Sequence, residues 1–154
     1  MKASAIGWPE LLSHFKDLAI AYALALPIGW DRERAERSAG IRTFPLVAVA
    51  SCGFVLVALR VLGEGDAQAR VLEGLITGMG FIGGGAILKQ SGRVSGTATA
   101  ASLWATGALG SAVGYGLYDI AVLIAVVTFA TLRWTRVFKT HRDDAEPVFD
   151  KTAK

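Results

Sequence analysis

Cysteine is nearly missing from the chain. The single Cys52, set in an apolar run, excludes an intramolecular disulfide and leaves no second thiol for a metal–thiolate site. Histidine is almost as scarce. His14 and His141 stand at opposite ends of the chain, and no serine or cysteine has a base placed to activate it, so no nucleophilic or acid–base constellation of a soluble enzyme can be drawn. Charge is missing from long stretches: none lies between Glu73 and Lys89, and none between Arg93 and Asp119. Of the 154 residues, 19% are charged and 53% hydrophobic. That clustering, with a mean hydropathy of +0.45, separates a membrane protein from a merely apolar globular one. The pI of about 9.2 would suit nucleic acid. Most basic residues flank apolar runs, however, where orientation in a bilayer accounts for them and no nucleic-acid partner is implied.

What is present is organised around Gly74 to Gly116, two uncharged runs joined by a basic loop, Lys89 to Gly96. Each run is long enough for a helix to cross a hydrocarbon core of about 30 Å. Both are rich in small residues. Gly74 and Gly78, Gly80 and Gly84, and Gly110 and Gly114 stand four apart, so each pair shares a helix face. In water such glycines cost about 1 kcal/mol each against alanine. In lipid they let helices approach closely, so these faces, with Gly83, are expected to pack other helices. Gly78, Gly80 and Gly83 also spell G-x-G-x-x-G, but without the strand, βαβ unit and acidic residue that a dinucleotide site needs. No cofactor and no catalysis are expected.

Taken in order, the chain reads as an all-α, polytopic transmembrane bundle of about five spans: 11–30, 44–62, 71–88, 97–117 and 120–135. Residues 1–135 form the membrane domain and 136–154 a short charged tail, too short for a second domain. Ala23-Leu24-Ala25 resembles a signal-peptide cleavage site, but basic residues follow the apolar run instead of preceding it, so an uncleaved span is expected. Of the 16 Lys and Arg, one side of this topology holds all but Lys2, Lys16, Arg60 and Arg70. The positive-inside rule then places the N terminus outside and the C terminus in the cytoplasm. Trp30 and Trp134 fall at the inner interface, and Trp8, Tyr115 and Tyr118 at the outer one.

Three groups are candidates for function. Asp17, Glu73 and Asp119 fall near the outer ends of spans and are weak candidates for a divalent-cation site, since hard carboxylate oxygens suit magnesium. Helix N-termini favour such acids equally well through the macrodipole, and that reading is preferred. The inner loop Asp31 to Arg42 admits three readings: a topology signal alone, a cytoplasmic charge network with Arg93 under the hairpin, or a contact for a partner or lipid headgroups. Its interleaved acids and arginines argue against simple lipid attraction. Gly40 before Ile41-Arg42-Thr43 marks a defined turn there. Thr99, Ser102 and Thr106 share a face of span four, and are expected to bond within the bundle rather than line a polar path.

The chain resembles the MgtC/SapB family of bacterial inner-membrane proteins in its membrane domain. The resemblance is carried by Gly29-Trp30-Asp31-Arg32-Glu33-Arg34, Ala39-Gly40-Ile41-Arg42-Thr43, Gly78-Met79-Gly80-Phe81-Ile82-Gly83-Gly84-Gly85, and Thr97-Ala98-Thr99-Ala100-Ala101 followed by Trp104. Family members commonly have Glu where Asp31 stands and His where Phe44 stands. Many also carry a cytoplasmic C-terminal domain, for which this chain has no room. The resemblance implies a multi-pass protein of the plasma membrane, linked to magnesium limitation and, in pathogens, to intracellular survival. It implies regulation of partner membrane proteins, ATP synthase among them, rather than magnesium transport itself. The functional motif it points to is Asp31, Arg32, Glu33, Arg34, Gly40, Arg42 and Thr43, to which the charge-network reading adds Arg93. A homo-oligomer and a small ion transporter are the competing expectations.

Overall fold

The structure is a computed structural model that describes residues 7–35, 39–62, 65–90 and 93–143, with side chains for all of these but 88–90, 93 and 135–143. It holds five helices: α1 (Trp8–Arg34), α2 (Thr43–Val61), α3 (Asp66–Gly85), α4 (Thr97–Gly114) and α5 (Tyr118–Asp143). Between α3 and α4 the basic loop is a small antiparallel hairpin, β1 (Leu88–Gln90) on β2 (Arg93–Ser95), with Lys89 opposite Val94. The apolar runs set the helix cores, but local signals set the ends. Pro9 opens α1 in its first turn, where its missing N–H is no loss, so α1 begins three residues before the expected span. Asp66 to Arg70, mostly good helix formers, extend α3 five residues upstream of its apolar run.

The end of α4 falls three residues short of expectation. Gly116, at φ +74°, donates to the Val113 carbonyl, and Leu117 donates to that of Ala112, a Schellman stop that only a left-handed residue closes cheaply. The helix therefore ends at Gly114 and α5 begins at Tyr118. At its other end α5 runs to Asp143, past the boundary expected at residue 135, and residues 144–154 of the expected tail lie outside the described residues.

Helix α4 is the hub and packs against each of the other four. Small residues make this possible. A β-carbon at Gly110 would strike the Ala48 carbonyl of α2, and one at Gly114 would lie 2.7 Å from Val55 Cβ. At Gly107 the intruder would be 2.6 Å from the Met79 side chain of α3. Leu103, Leu109 and Val113 fill the spaces between these contacts, with Phe44 and Ile28 completing the core toward α1 and α2. Thr106 and Ser111 donate to carbonyls one turn back in their own helix, at 2.8 and 3.0 Å, so the buried hydroxyls of α4 need no polar path.

The outside of the bundle carries many large apolar side chains. Phe15, Phe54, Phe81, Leu123 and Val127 all project outward, Phe81 with 86% of its surface free. Soluble monomers rarely expose contiguous apolar surface on this scale. Among the described residues two helices, α1 and α2, are long and apolar enough by length and composition to cross a membrane.

Candidate functional site

The charged motif assembles where α1 ends and α2 begins. Asp31 and Arg32, 3% and 5% exposed, form an ion pair at 2.5 Å between Oδ2 and Nη2. Residues adjacent on a helix point about 100° apart, so it is the long Arg32 side chain that must curl back to reach the short Asp31 carboxylate. Arg32 Nε has no hydrogen-bond partner among the described residues. Removing either member would strand the other's charge, at roughly 3–5 kcal/mol.

Glu33 reaches across the turn instead. Its Oε2 accepts from the Ile41 backbone N–H at 3.1 Å, and Gly40 supplies the room, since a β-carbon there would overlap that oxygen. The Gly40 carbonyl in turn accepts from Thr43 and Phe44 N–H and starts α2. Gly29 lets this turn lie close on α1, for a β-carbon there would sit 3.1 Å from Ile41 Cα. The turn thus closes through residues on both sides of it, and residues 36–38 between them lie outside the described residues.

Arg34 and Arg42 are exposed at this end of the bundle, and among the described residues no carboxylate pairs with either. Arg34 stacks over the Trp30 ring at 5.0 Å. Arg42 and Thr43 stand at the mouth of a cavity of about 600 Å³ between α2 and α3. Arg93 lies in β2 opposite Gln90, and its side chain is outside the described residues, so the expected network beneath the hairpin is described only as far as its backbone.

The three outer acids part company. Asp119 occupies the first turn of α5, as a macrodipole reading requires. Glu73 and Asp17 do not stand at helix starts, because α3 and α1 both begin more than one turn earlier. Glu73 is exposed mid-helix. Asp17 is 7% exposed, accepts from the Tyr118 hydroxyl at 2.6 Å, and has Lys16 Nζ at 3.5 Å. Tyr118 is 101 positions away in sequence, and nothing in the local pattern signals the pair. Among the described residues no three His, Cys, Asp or Glu side chains come together to hold a metal ion.

The glycine faces divide in the same way. A β-carbon at Gly83 would lie 3.4 Å from the Ala100 carbonyl oxygen, and Gly110 and Gly114 seat α2. At Gly74, Gly78, Gly80 and Gly84 a β-carbon would meet nothing within 4 Å. These four were expected to pack helices, but within this chain none is in close contact: Met79 and Gly83 form the buried edge of α3, and Gly74 and Gly78 line the open cavity between α2 and α3. Gly96 was not singled out beforehand. Its φ of +87° tucks the hairpin's return against the Ala86 carbonyl, with no space for a side chain.

The arrangement defines an all-helical bundle with apolar outer faces, whose charges, Glu73 apart, gather toward its two ends. The chain belongs to the MgtC family, whose model matches residues 18–141. It is 40% identical over 128 residues to protein SrpB of Synechococcus elongatus, covering 75% of this chain and 70% of that one. It is 37% identical over 123 residues to protein MgtC of Brucella abortus, covering 80% of this chain and 51% of the relative. A third relative, YhiD of Escherichia coli K12, named provisionally as a magnesium transporter, is 33% identical over 112 residues, covering 68% and 52%. The chain thus spans about half the length of the latter two. No solved structure matches it.

Proposed function

We propose that the chain is a five-span protein of the bacterial plasma membrane that modulates partner membrane proteins during adaptation to low magnesium, without an enzymatic step of its own. The exposed apolar side chains of α1, α2, α3 and α5 support the spanning reading. Glu10 meets Arg60 at one end of α1 and α2 while Glu33 meets Ile41 at the other, so the two helices run antiparallel. The end that carries Arg32, Arg34, Arg42, Lys89, Arg93 and Arg133 is the cytoplasmic one by the positive-inside rule.

The placement of charge carries the choice of modulator over transporter. Transport pathways hold ionisable groups near the bilayer midplane. Here the buried charges are committed to protein partners, Asp31 to Arg32 and Asp17 to Tyr118, while Arg42 faces outward at the cytoplasmic end. Glu33 therefore closes the junction while Arg32 stays paired within α1, and Arg42 is the member presented to a partner. The open glycines of α3 favour a second reading, a small oligomer that conducts magnesium or another ion between copies.

Complementation of a deletion strain in low magnesium tests the proposal, with membrane levels followed by blotting. Arg42→Ala is expected to abolish growth at normal protein level, and Asp119→Asn to leave it intact. The opposite pair of results, or saturable magnesium flux into liposomes holding the purified chain, would favour the transporter.

A further inference from the structure

We propose that the seam between α1 and α5 binds an anionic phospholipid of the cytoplasmic leaflet, its phosphate held by Arg34 and Arg133 and an acyl chain laid in the groove beneath them. The seam encloses about 690 Å³. That is within the range of roughly 300–1,000 Å³ typical of ligand cavities. Its lower walls are apolar, Ala23, Leu26 and Pro27 from α1 and Phe129 from α5. Its upper end carries Trp30, Arg34 and Arg133.

Both walls show the same gradient. On α1 the stripe Ala23, Pro27, Trp30, Arg34 runs at three- and four-residue spacing from apolar through aromatic to cationic. On α5 Phe129 and Arg133 repeat it one turn apart. As first and fifth helices of an alternating bundle, α1 and α5 point the same way, so the two gradients are aligned. An amphiphile with an apolar tail and an anionic head matches that order.

Among the described residues no carboxylate neutralises the charge at the upper end. Arg34 and Arg133 are exposed, and among the described residues neither has a carboxylate partner. Asp31, the acid among the lining residues, is committed to Arg32. The other two large cavities differ: the α2–α3 cavity has Arg42 as its lone charged lining residue, and the α3–α4–α5 cavity has none. A second copy docked symmetrically here would bring arginine against arginine, so charge complementarity selects the lipid. Basic pockets between spans on the cytoplasmic side bind anionic headgroups by this chemistry.

The inference rests on the membrane reading, and its test separates the two. Trp30 is kept as the sole tryptophan by Trp8→Phe, Trp104→Phe and Trp134→Phe, and the full chain is placed in phosphatidylcholine bilayers. Quenching by brominated phosphatidylglycerol is compared with quenching by the same fraction of brominated phosphatidylcholine. The expected preference for the anionic lipid is roughly fivefold for each arginine engaged. Arg34→Gln and Arg133→Gln should each reduce it and the double variant abolish it, while Arg60→Gln at the opposite end leaves it unchanged. Equal quenching by both lipids, a preference that survives the double variant, or a Trp30 shielded from both by a second copy would overturn the site. A parallel chain with Trp104 alone reports insertion through quenching by brominated phosphatidylcholine. Failure there, with release by alkaline carbonate, sinks the membrane reading instead.

Discussion

Gly40→Ala isolates the contact that closes the α1–α2 turn. A β-carbon at this position would overlap Glu33 Oε2 and lie 2.8 Å from its Cδ. The carboxylate is the free end of a side chain and can swing away, so steric overlap is not the main cost. The cost is the hydrogen bond from Ile41 N–H at 3.1 Å. Bonds to charged groups contribute about 1.5–3 kcal/mol, and the exposure of this pair places it at the low end. Gly40 is not one of the positive-φ glycines, so alanine adds no backbone strain. Alanine also stiffens the unfolded chain, a gain of about 0.4–1 kcal/mol. The net expectation is a loss of about 1 kcal/mol with Glu33 present. With Glu33→Ala in the background, the bond is already gone and Gly40→Ala should become neutral or stabilising. Unfolding of the purified protein by SDS in mixed micelles, followed by tryptophan fluorescence, measures all four corners of the cycle. Equal destabilisation in both backgrounds would refute the reasoning and place the constraint at Gly40 elsewhere.

Three further outcomes are expected. Gly110→Ala should destabilise by roughly 1–3 kcal/mol in the same assay because the Ala48 backbone cannot yield, whereas Gly80→Ala should be harmless. Comparable damage from both would show that something outside the chain sits on the open face of α3. Tyr118→Phe deprives the Asp17 carboxylate of its donor and should cost about 1.5–3 kcal/mol, with Asp17→Asn,Tyr118→Phe no worse than Tyr118→Phe alone; a silent Tyr118→Phe would remove that bond from the account. A reporter fused after Lys154 should read cytoplasmic and one inserted near Asp66 external, and the reverse pair would invert the orientation drawn from charge.

Sequence alone determined the number of helices, their approximate centres and the family. Uncharged runs of helical length and short motifs such as Gly29 to Arg34 are local properties, and they survive any arrangement of the bundle. Helix ends were partly legible: Pro9 and Gly116 act through their own backbone, but their effect outweighed the apolar boundary that hydropathy suggests. Which glycines pack was not legible. A four-residue spacing places Gly80 and Gly84 on one face just as it places Gly110 and Gly114, and only the rotation of each helix in the bundle decides that the second pair meets α2 while the first stays open. The same holds for charge. Arg32 and Arg34 are two residues apart on one helix, yet one is buried against Asp31 and the other lies free over Trp30. Asp17 found its partner on α5 only because α1 and α5 pack together, a contact between distant segments that no local pattern encodes.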